Sequence, residues 1–558
     1  MKIFNKIILA LFITLLCAAC SKDRLKEDSP SVLTADLLFQ NKDGFEFALN
    51  GLHDEVRRYR SGEPSGSNPF ATGYTSTTVN NIMNMQTVIG VDNAYGNWRD
   101  ALPDVFNLYG TFNNPSVAHY NFVFTWLYET INAANTIIVR SERPDINWTE
   151  ADKNRILAEA RCIRAWCYRH LTYLWGDVPL TLEESSGTNI KTDWQRTPVA
   201  EVRKAMEEDL LFASQNLPDV STSDIRLVKG AAQHYLAELY LAMGQYDKAK
   251  AEATKVISNP NYKLVTARYG VNRNNPGTAF ADMFLEGNSK RSQGNTEALW
   301  VIQNEQLVVG GEANNIMRRM WVNRYYSWIV GGKNPVQISA ENGGRGIGRL
   351  APTRFALSLY APNDERGSAF SWRYYYLLRD ATVIPTGTNP RTGAAYKLGD
   401  TLFLDNAANE KLSNPNWPST RKWDYTSPID VLIDPQFNDQ FLLRTAESYL
   451  VLAEAEFRLG NLQSAADAIN ILRTRAKATL VTPAQVTLDL ILDERSRELF
   501  SEEDRRYALV RTGKLVERVK LYNKISAPNI ALRDTLLPIP QSVIDANLTS
   551  PMRQNPGY

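Results

Sequence analysis

The chain has 558 residues, with 62 lysines and arginines against 61 aspartates and glutamates. A net charge near zero with no basic stripe leaves no field to gather a polyanion, which excludes a nucleic-acid binder. A content of 44% hydrophobic and 22% charged residues is that of an ordinary globular protein, larger than one typical domain and able to bury a large core.

In chain order the N-terminus comes first. Lys2 and Lys6 give a positive start, Ile7 to Cys17 an apolar stretch, and Ala18-Ala19 the small residues that precede a cleaved cysteine. This predicts a lipoprotein signal over residues 1–19, with Cys20 as the acylated first residue of the mature chain. Leu16 makes Cys17 the poorer acylation candidate. The apolar stretch is too short to cross a hydrocarbon core of about 30 Å, so lipid rather than a span provides the anchor. Ser21, in place of Asp, fits sorting to an outer membrane. Residues 20–35 are polar and charged and read as a tether. Besides Cys20, only Cys162 and Cys167 remain beyond the signal. Five positions on a helix set them about 140° apart, poor geometry for a disulfide, so they read as buried thiols.

From there to about residue 261 the pattern is helical. Leu127, Ile131, Ala134 and Ile138 share one helical face. LAELYLAMGQYDKA (Leu236 to Ala249) aligns without gaps with LAEAEFRLGNLQSA (Leu452 to Ala465). Ala237, Gly244 and Ala249 correspond to Ala453, Gly460 and Ala465. Small residues let two antiparallel helices approach and Gly ends the first, the spacing of a tetratricopeptide repeat. Tyr262 to about Phe437 is rich in Gly, Pro and Asn and holds many of the tryptophans; it is too long for one structureless loop, which predicts short helices, turns and small strand pairs. Helical stripes return with Leu443, Ala446, Leu450, Ala453 and Phe457, then with Leu488, Ile491, Leu492, Arg495 and Leu499. A C-terminal tail follows from about 520 to 558.

Aromatic residues carry the chemistry most worth following. Sugar rings present apolar C–H faces that stack on Trp or Tyr, while Asn, Gln, Arg and Asp bond the hydroxyls. In MWVNRYYSWIVGG (Met320 to Gly332), Trp321, Tyr325, Tyr326 and Trp328 alternate with Asn323, Arg324 and Ser327, between two glycine pairs. Trp321, Tyr325 and Trp328 also have the i, i+4, i+7 spacing of a buried stripe, so core and site both fit them. In VDNAYGNWRD (Val91 to Asp100) a Gly96-Asn97 turn would display Tyr95 and Trp98. Trp372 with Tyr374 to Tyr376, and Trp417 with Trp423, are weaker candidates. Glu494 and Glu498 sit one helical turn apart among arginines, an ion-pair arrangement rather than a catalytic pair. The histidines at 53, 119, 170 and 234 have no ligand spacing, so neither a metal nor another cofactor is expected.

These segments together resemble the SusD/RagB family of nutrient-binding lipoproteins. The resemblance rests on WLYETINAANTII (Trp126 to Ile138), AEARCIRAWCYRHLTYLWGDVPL (Ala158 to Leu180), RLVKGAAQHYLAELYLAMGQYDKA (Arg226 to Ala249), NTEALWVIQ (Asn295 to Gln303), LLRTAESYLVLAEAEFRLGN (Leu442 to Asn461), INILRTRA (Ile469 to Ala476), ILDERSRELFSEEDRRYALVRTG (Ile491 to Gly513) and the terminal LLPIPQSVIDANLTSPMRQNPGY. One departure is Glu503-Asp504-Arg505-Arg506, where the family pattern has a Gly between Glu and Arg, which leaves the local helix junction open. In APNDERGSAF, Asp364-Glu365-Arg366 resembles a recurrent family turn in which Asp and Arg hold a loop. The resemblance implies an all-α fold of tetratricopeptide-like pairs forming a superhelical scaffold with irregular excursions, in a single domain over 36–558. It implies a non-enzymatic, lipid-anchored cell-surface protein of the outer membrane that binds oligosaccharide and passes it to a SusC-like TonB-dependent transporter. It also implies a ligand site assembled from one N-terminal and one central excursion, here Tyr95 and Trp98 opposite Trp321, Tyr325, Tyr326 and Trp328. A peptide ligand with the same transporter is the alternative, ahead of a glycoside hydrolase or a tetratricopeptide scaffold that only bridges proteins.

Overall fold

Small side chains decide how the long helices meet. In the computed structural model, which describes residues 34–61, 84–98, 101–187, 189–221, 223–308, 311, 315–404 and 410–558, these helices follow in chain order. They are α1 (Lys42–Arg57), α2 (Ala118–Arg140), α3 (Glu150–Trp175), α4 (Val199–Asn216), α5 (Lys229–Ala242), α6 (Tyr246–Ser258), α7 (Thr445–Arg458), α8 (Leu462–Arg475) and α9 (Leu488–Leu499); shorter helices are named by their residues. The signal sequence and Cys20 lie outside the described residues, as does nearly all of the tether. Ala237 and Ala249 are fully buried where α5 meets α6, and Ala453 and Ala465 where α7 meets α8. Between each pair a glycine takes a left-handed conformation, Gly244 at φ 70° and Gly460 at φ 81°. The next backbone N–H then reaches back over the helix end, Gln245 to Tyr240 O and Asn461 to Glu456 O, both at 2.9 Å. That conformation costs glycine nothing and any other residue something, so the two repeats turn identically.

The helices stack in sequence, each on the next from α2 to α8, with α1 lying against α2 and α3. This is an all-α, tetratricopeptide-like superhelix. Side-chain caps start several members: Asn41 accepts the Gly44 N–H, Thr149 that of Asp152, and Thr487 that of Leu490. Cys162 and Cys167 are buried, unbridged thiols.

Residues 259–444 leave this stack between α6 and α7, which nevertheless pack against each other directly. The described strands are short: β1 (Ala94–Gly96), β2 (Ala298–Ile302), β3 (Leu350–Pro352), β4 (Trp372–Arg373), β5 (Tyr375–Leu377), β6 (Thr401–Phe403), β7 (Ser419–Thr420) and β8 (Gln440–Arg444). They form four antiparallel pairs, β1 with β3, β2 with β8, β4 with β7 and β5 with β6. The β2–β8 pair closes the neck of the excursion, with Ile302 opposite Gln440 and Ala298 opposite Arg444. Leu443, expected on a helical face, therefore lies in β8, because its backbone belongs to the ladder; α7 begins at Thr445.

Buried ions lock the neck to the scaffold. Glu498 meets Arg366, Arg444 and Arg475, Glu494 meets Arg366, Arg473 and Arg497, and Glu297 meets Arg444 and Arg475. Arg366 is held at its other edge by Asp364, so the Asp364-Glu365-Arg366 turn is the excursion's own contribution. Burial raises the Glu498 carboxyl, but Arg475, Arg444 and Arg366 outweigh it and hold the group well below the usual carboxylate range. The Glu503–Arg506 variant forms a tight turn: α9 stops at Leu499, Ser501 takes φ 65°, and a new helix runs Arg505–Arg511. Asp504 accepts from Arg169 at 2.9 Å and from Tyr59, which ties the turn to α3 and the end of α1. The terminal tail is packed: Leu537 N–H bonds Leu174 O, Trp175 Nε1 bonds Pro538 O, and Asn555 bonds Trp175 O.

Candidate functional site

The six aromatic residues expected to form a platform fall into two groups. Tyr95, Trp321 and Tyr325 are core, exposed by 0%, 1% and 0%. This corrects the expectation for those three, and the reasons are local. Trp321 ends a short helix (Met317–Trp321) and meets Phe500 edge-on at 5.2 Å. Tyr325 opens a separate single turn (Tyr325–Ser327), packs against Tyr376 at 4.8 Å and donates its hydroxyl to Gly344 O at 2.6 Å. The chain bends between the two, so the i, i+4 spacing does not mark one helical face. Tyr95 sits in β1 opposite Ala351, in a small cluster with Trp417. Gly96-Asn97 is no displayed turn: Gly96 closes β1, and the buried Asn97 donates to Gly348 O at 3.0 Å and Asn414 O at 3.1 Å.

Trp98, Tyr326 and Trp328 are the part-exposed members. Two of them share a cation. The Arg324 guanidinium carbon lies 5.4 Å from the Trp98 ring centre and 5.9 Å from that of Tyr326, so segments far apart in sequence present two rings around one guanidinium. Arg324 Nε has no hydrogen-bond partner among the described residues. Trp98 is fixed by donation from its indole N–H to Ile347 O at 2.8 Å. That carbonyl is placed by the turn before β3, where Ile347 and Gly348 N–H groups bond Arg319 O at 3.1 and 3.0 Å. Gly346 permits the approach, since a Cβ there would stand 2.2 Å from Val322 O. Asn334 steadies the other side by donating to Tyr326 O at 3.1 Å, and the Val330–Lys333 hairpin beyond it turns through Gly331 and Gly332, both left-handed.

The result is two half-buried rings within cation–π distance of one guanidinium, groups of the kind that can meet the C–H face of a sugar and donate to its hydroxyls. In the sequence Arg324 stood only as a polar neighbour of the aromatics, and nothing local signalled Ile347. Of the weaker candidates, Trp372, Tyr376, Trp417 and Trp423 are buried, Tyr374 is half-buried and Tyr375 is exposed. Glu494 and Glu498 are fully buried inside the ion network. The four histidines belong to the scaffold: His53 bonds Glu159, His119 bonds Gln86, His170 bonds Tyr507 and His234 bonds Ser448.

Comparison with known proteins agrees with this architecture. Residues 296–558 match the model of the SusD family, and residues 69–241 match a second model described as starch-binding, associating with the outer membrane. A SusD-like protein of Formosa agariphila is 26% identical over 98% of this chain and 97% of its own length. The starch-binding protein SusD of Bacteroides thetaiotaomicron is 25% identical over 92% of this chain and 91% of its own. Among solved structures, surface glycan-binding protein A from Bacteroides thetaiotaomicron in complex with laminarihexaose superposes with a TM-score of 0.66 at 18% identity, covering 92% of this chain and 99% of that one.

Proposed function

The chain belongs to the SusD family, and from that premise we propose that it is a glycan-binding lipoprotein of the outer-membrane surface. It captures oligosaccharide on Trp98, Arg324, Tyr326 and Trp328 and delivers it to a SusC-like TonB-dependent transporter. The observation that carries the reading is the Arg324 guanidinium set between two half-exposed rings from separate excursions. The similar proteins whose names state starch and laminarihexaose as ligands support the ligand class. Cys20 supplies the lipid anchor, and the protein turns nothing over, since its recognisable carboxylate cluster is consumed by arginines.

An open platform buries part of a ligand and desolvates many hydroxyls, so affinity lies on the order of micromolar to millimolar. Calorimetry with starch- and laminarin-derived oligosaccharides tests the site. Trp98→Ala weakens binding about five- to thirty-fold at an unchanged melting temperature, because a stacking ring contributes about 1–2 kcal/mol. Trp321→Ala instead costs about 3–5 kcal/mol of stability as a buried Trp. Unaltered affinity in both Trp98→Ala and Tyr326→Ala would place the platform elsewhere.

A further inference from the structure

Most interior arginines of this protein are matched by carboxylates, as around Glu494 and Glu498. Two arginines nearer the surface of the excursion, the half-buried Arg354 and the exposed Arg391, share a cleft without such a match. Arg354 and Arg391 line a cleft of about 320 Å³ together with Leu357, Tyr374, Phe403 and Pro418, and none of its described lining residues is acidic. Neither guanidinium forms an ion pair among the described residues.

Both are positioned. Arg354 begins the short helix Arg354–Ser358, whose cap Thr353 donates to Asp92 O at 2.8 Å; the Glu410 carboxylate accepts the Arg354 backbone N–H at 2.7 Å. Arg391 rides the loop closed by Asn389 N–H to Ala394 O at 2.8 Å, and Asn389 is buried and bonded to Asp400. Its guanidinium lies 3.4 Å from the Phe403 ring centre, across the β5–β6 ladder where Phe403 also faces Tyr375. Phe403 and Tyr375 are exposed by 39% and 38%. A guanidinium stacked on an aromatic face keeps its in-plane N–H donors free, and a planar or tetrahedral oxyanion is what two such forks bind best.

We propose that this cleft is a second saccharide subsite, selective for a sugar bearing an oxyanion, either a uronate carboxylate or a sulfate ester. It rests on the reading that the protein binds glycans, and adds a charge requirement which the Trp98–Tyr326 platform does not impose. Tyr374 and Phe403 supply the ring contact and Arg354 and Arg391 the anion contact.

The test is calorimetry on the mature protein with three tetrasaccharides: neutral laminaritetraose, a tetragalacturonate and a sulfated neocarratetraose. The expected result is that at least one anionic probe binds more tightly than the neutral one. Its affinity falls about ten-fold in Arg391→Gln and in Arg354→Gln, and again between 50 and 500 mM salt, since each charge-assisted contact is exposed to screening. Arg391→Lys recovers part of the loss, laminaritetraose binding is unchanged in all three variants, and melting temperatures confirm that they fold. The carboxylate and sulfate arms identify the anion. Equal affinity for charged and neutral probes overturns the cleft, as does anionic binding that both glutamine variants leave intact. Loss of laminaritetraose binding in Trp98→Ala reports on the platform alone, so failure of one site is separable from failure of the other.

Discussion

The helical stack and the excursion between α6 and α7 solve the same packing problem by different means. In the stack, apolar faces recur at helical spacing and alanines set the distance between helices, as at Ala237, Ala249, Ala453 and Ala465, all fully buried. The excursion has little regular backbone pairing and buries polar groups instead. Arg318, fully buried, donates to Tyr425 O at 3.2 Å and Asp434 O at 3.0 Å, Asn323 donates to Trp417 O at 2.9 Å, and Gln436 Nε2 donates to Asn438 at 2.8 Å. Irregular backbone leaves carbonyls that no helix or ladder satisfies, so long polar side chains must reach them. The difference teaches where each region is fragile: the stack to changes of volume, the excursion to loss of a charge or an amide.

The sharpest way to break that contrast is at the neck. Arg444→Met leaves Glu297, Glu498 and Glu502 short of their shared partner, and removing one member of a buried ionic group costs about 3–5 kcal/mol. Melting followed in parallel by tryptophan fluorescence and far-UV circular dichroism should show both signals falling together at a lower temperature. An unchanged midpoint would mean that the network does not join the two regions.

Acid should act next, and on the stack. Burial pushes His170 and His234 down to about 3, whereas in the unfolded chain they titrate near 6.5. Their folded pKa is depressed, so the stability they carry is complete above about pH 6.5 and is lost as pH falls toward 3, at about 1.4 kcal/mol per pH unit for each histidine. Glu498 and Glu494, also held low, add to the loss only below the carboxylate range near 4.5. Thermal melts from pH 7 to 5 should therefore fall steadily, and His170→Gln with His234→Gln should flatten the slope. A flat wild-type profile would refute the assignment.

Smaller effects sharpen the volume side. Ala453→Leu overpacks the α7–α8 contact and should cost about 1–3 kcal/mol. Gly460→Ala meets no atom within 4 Å yet sits at φ 81°, so only conformational strain remains, about 1 kcal/mol. Urea midpoints separate the two, and equal losses would mean that crowding is not what spaces these helices.

These same features explain what the sequence made legible. Gly244 and Gly460 were readable as helix ends because the whole turn is local, closed by bonds between residues five apart. The Glu494–Glu498 network was readable as ionic because Arg497 lies one turn from Glu494 in the same helix; Arg473 and Arg475 of the preceding helix, and Arg366 and Arg444 of the excursion, join it only in the fold. Trp321 and Tyr325 were not separable from Tyr326 and Trp328, because what buries them comes from Phe500 and Tyr376. Trp98 owes its placement to Ile347, 249 positions away, and no short-range pattern encodes that contact. The cationic lining of the cleft was equally hidden, since Arg354, Tyr374, Arg391 and Phe403 converge only once β5 and β6 pair.

The β2–β8 pair has a topological consequence. With Ile302 opposite Gln440, the chain departs from and returns to one point, so the excursion is a stem-loop mounted on the stack. Because the entropy of closing a loop rises only with the logarithm of its length, loops of very different size could be exchanged on this stem with little change in the cost of closure. What a graft must carry with it is charge: Arg366 and Lys422 both belong to the loop, and without them Glu494, Glu498 and Glu502 would lose part of their neutralisation. A change of loop on this scaffold thus requires that two cations travel with it.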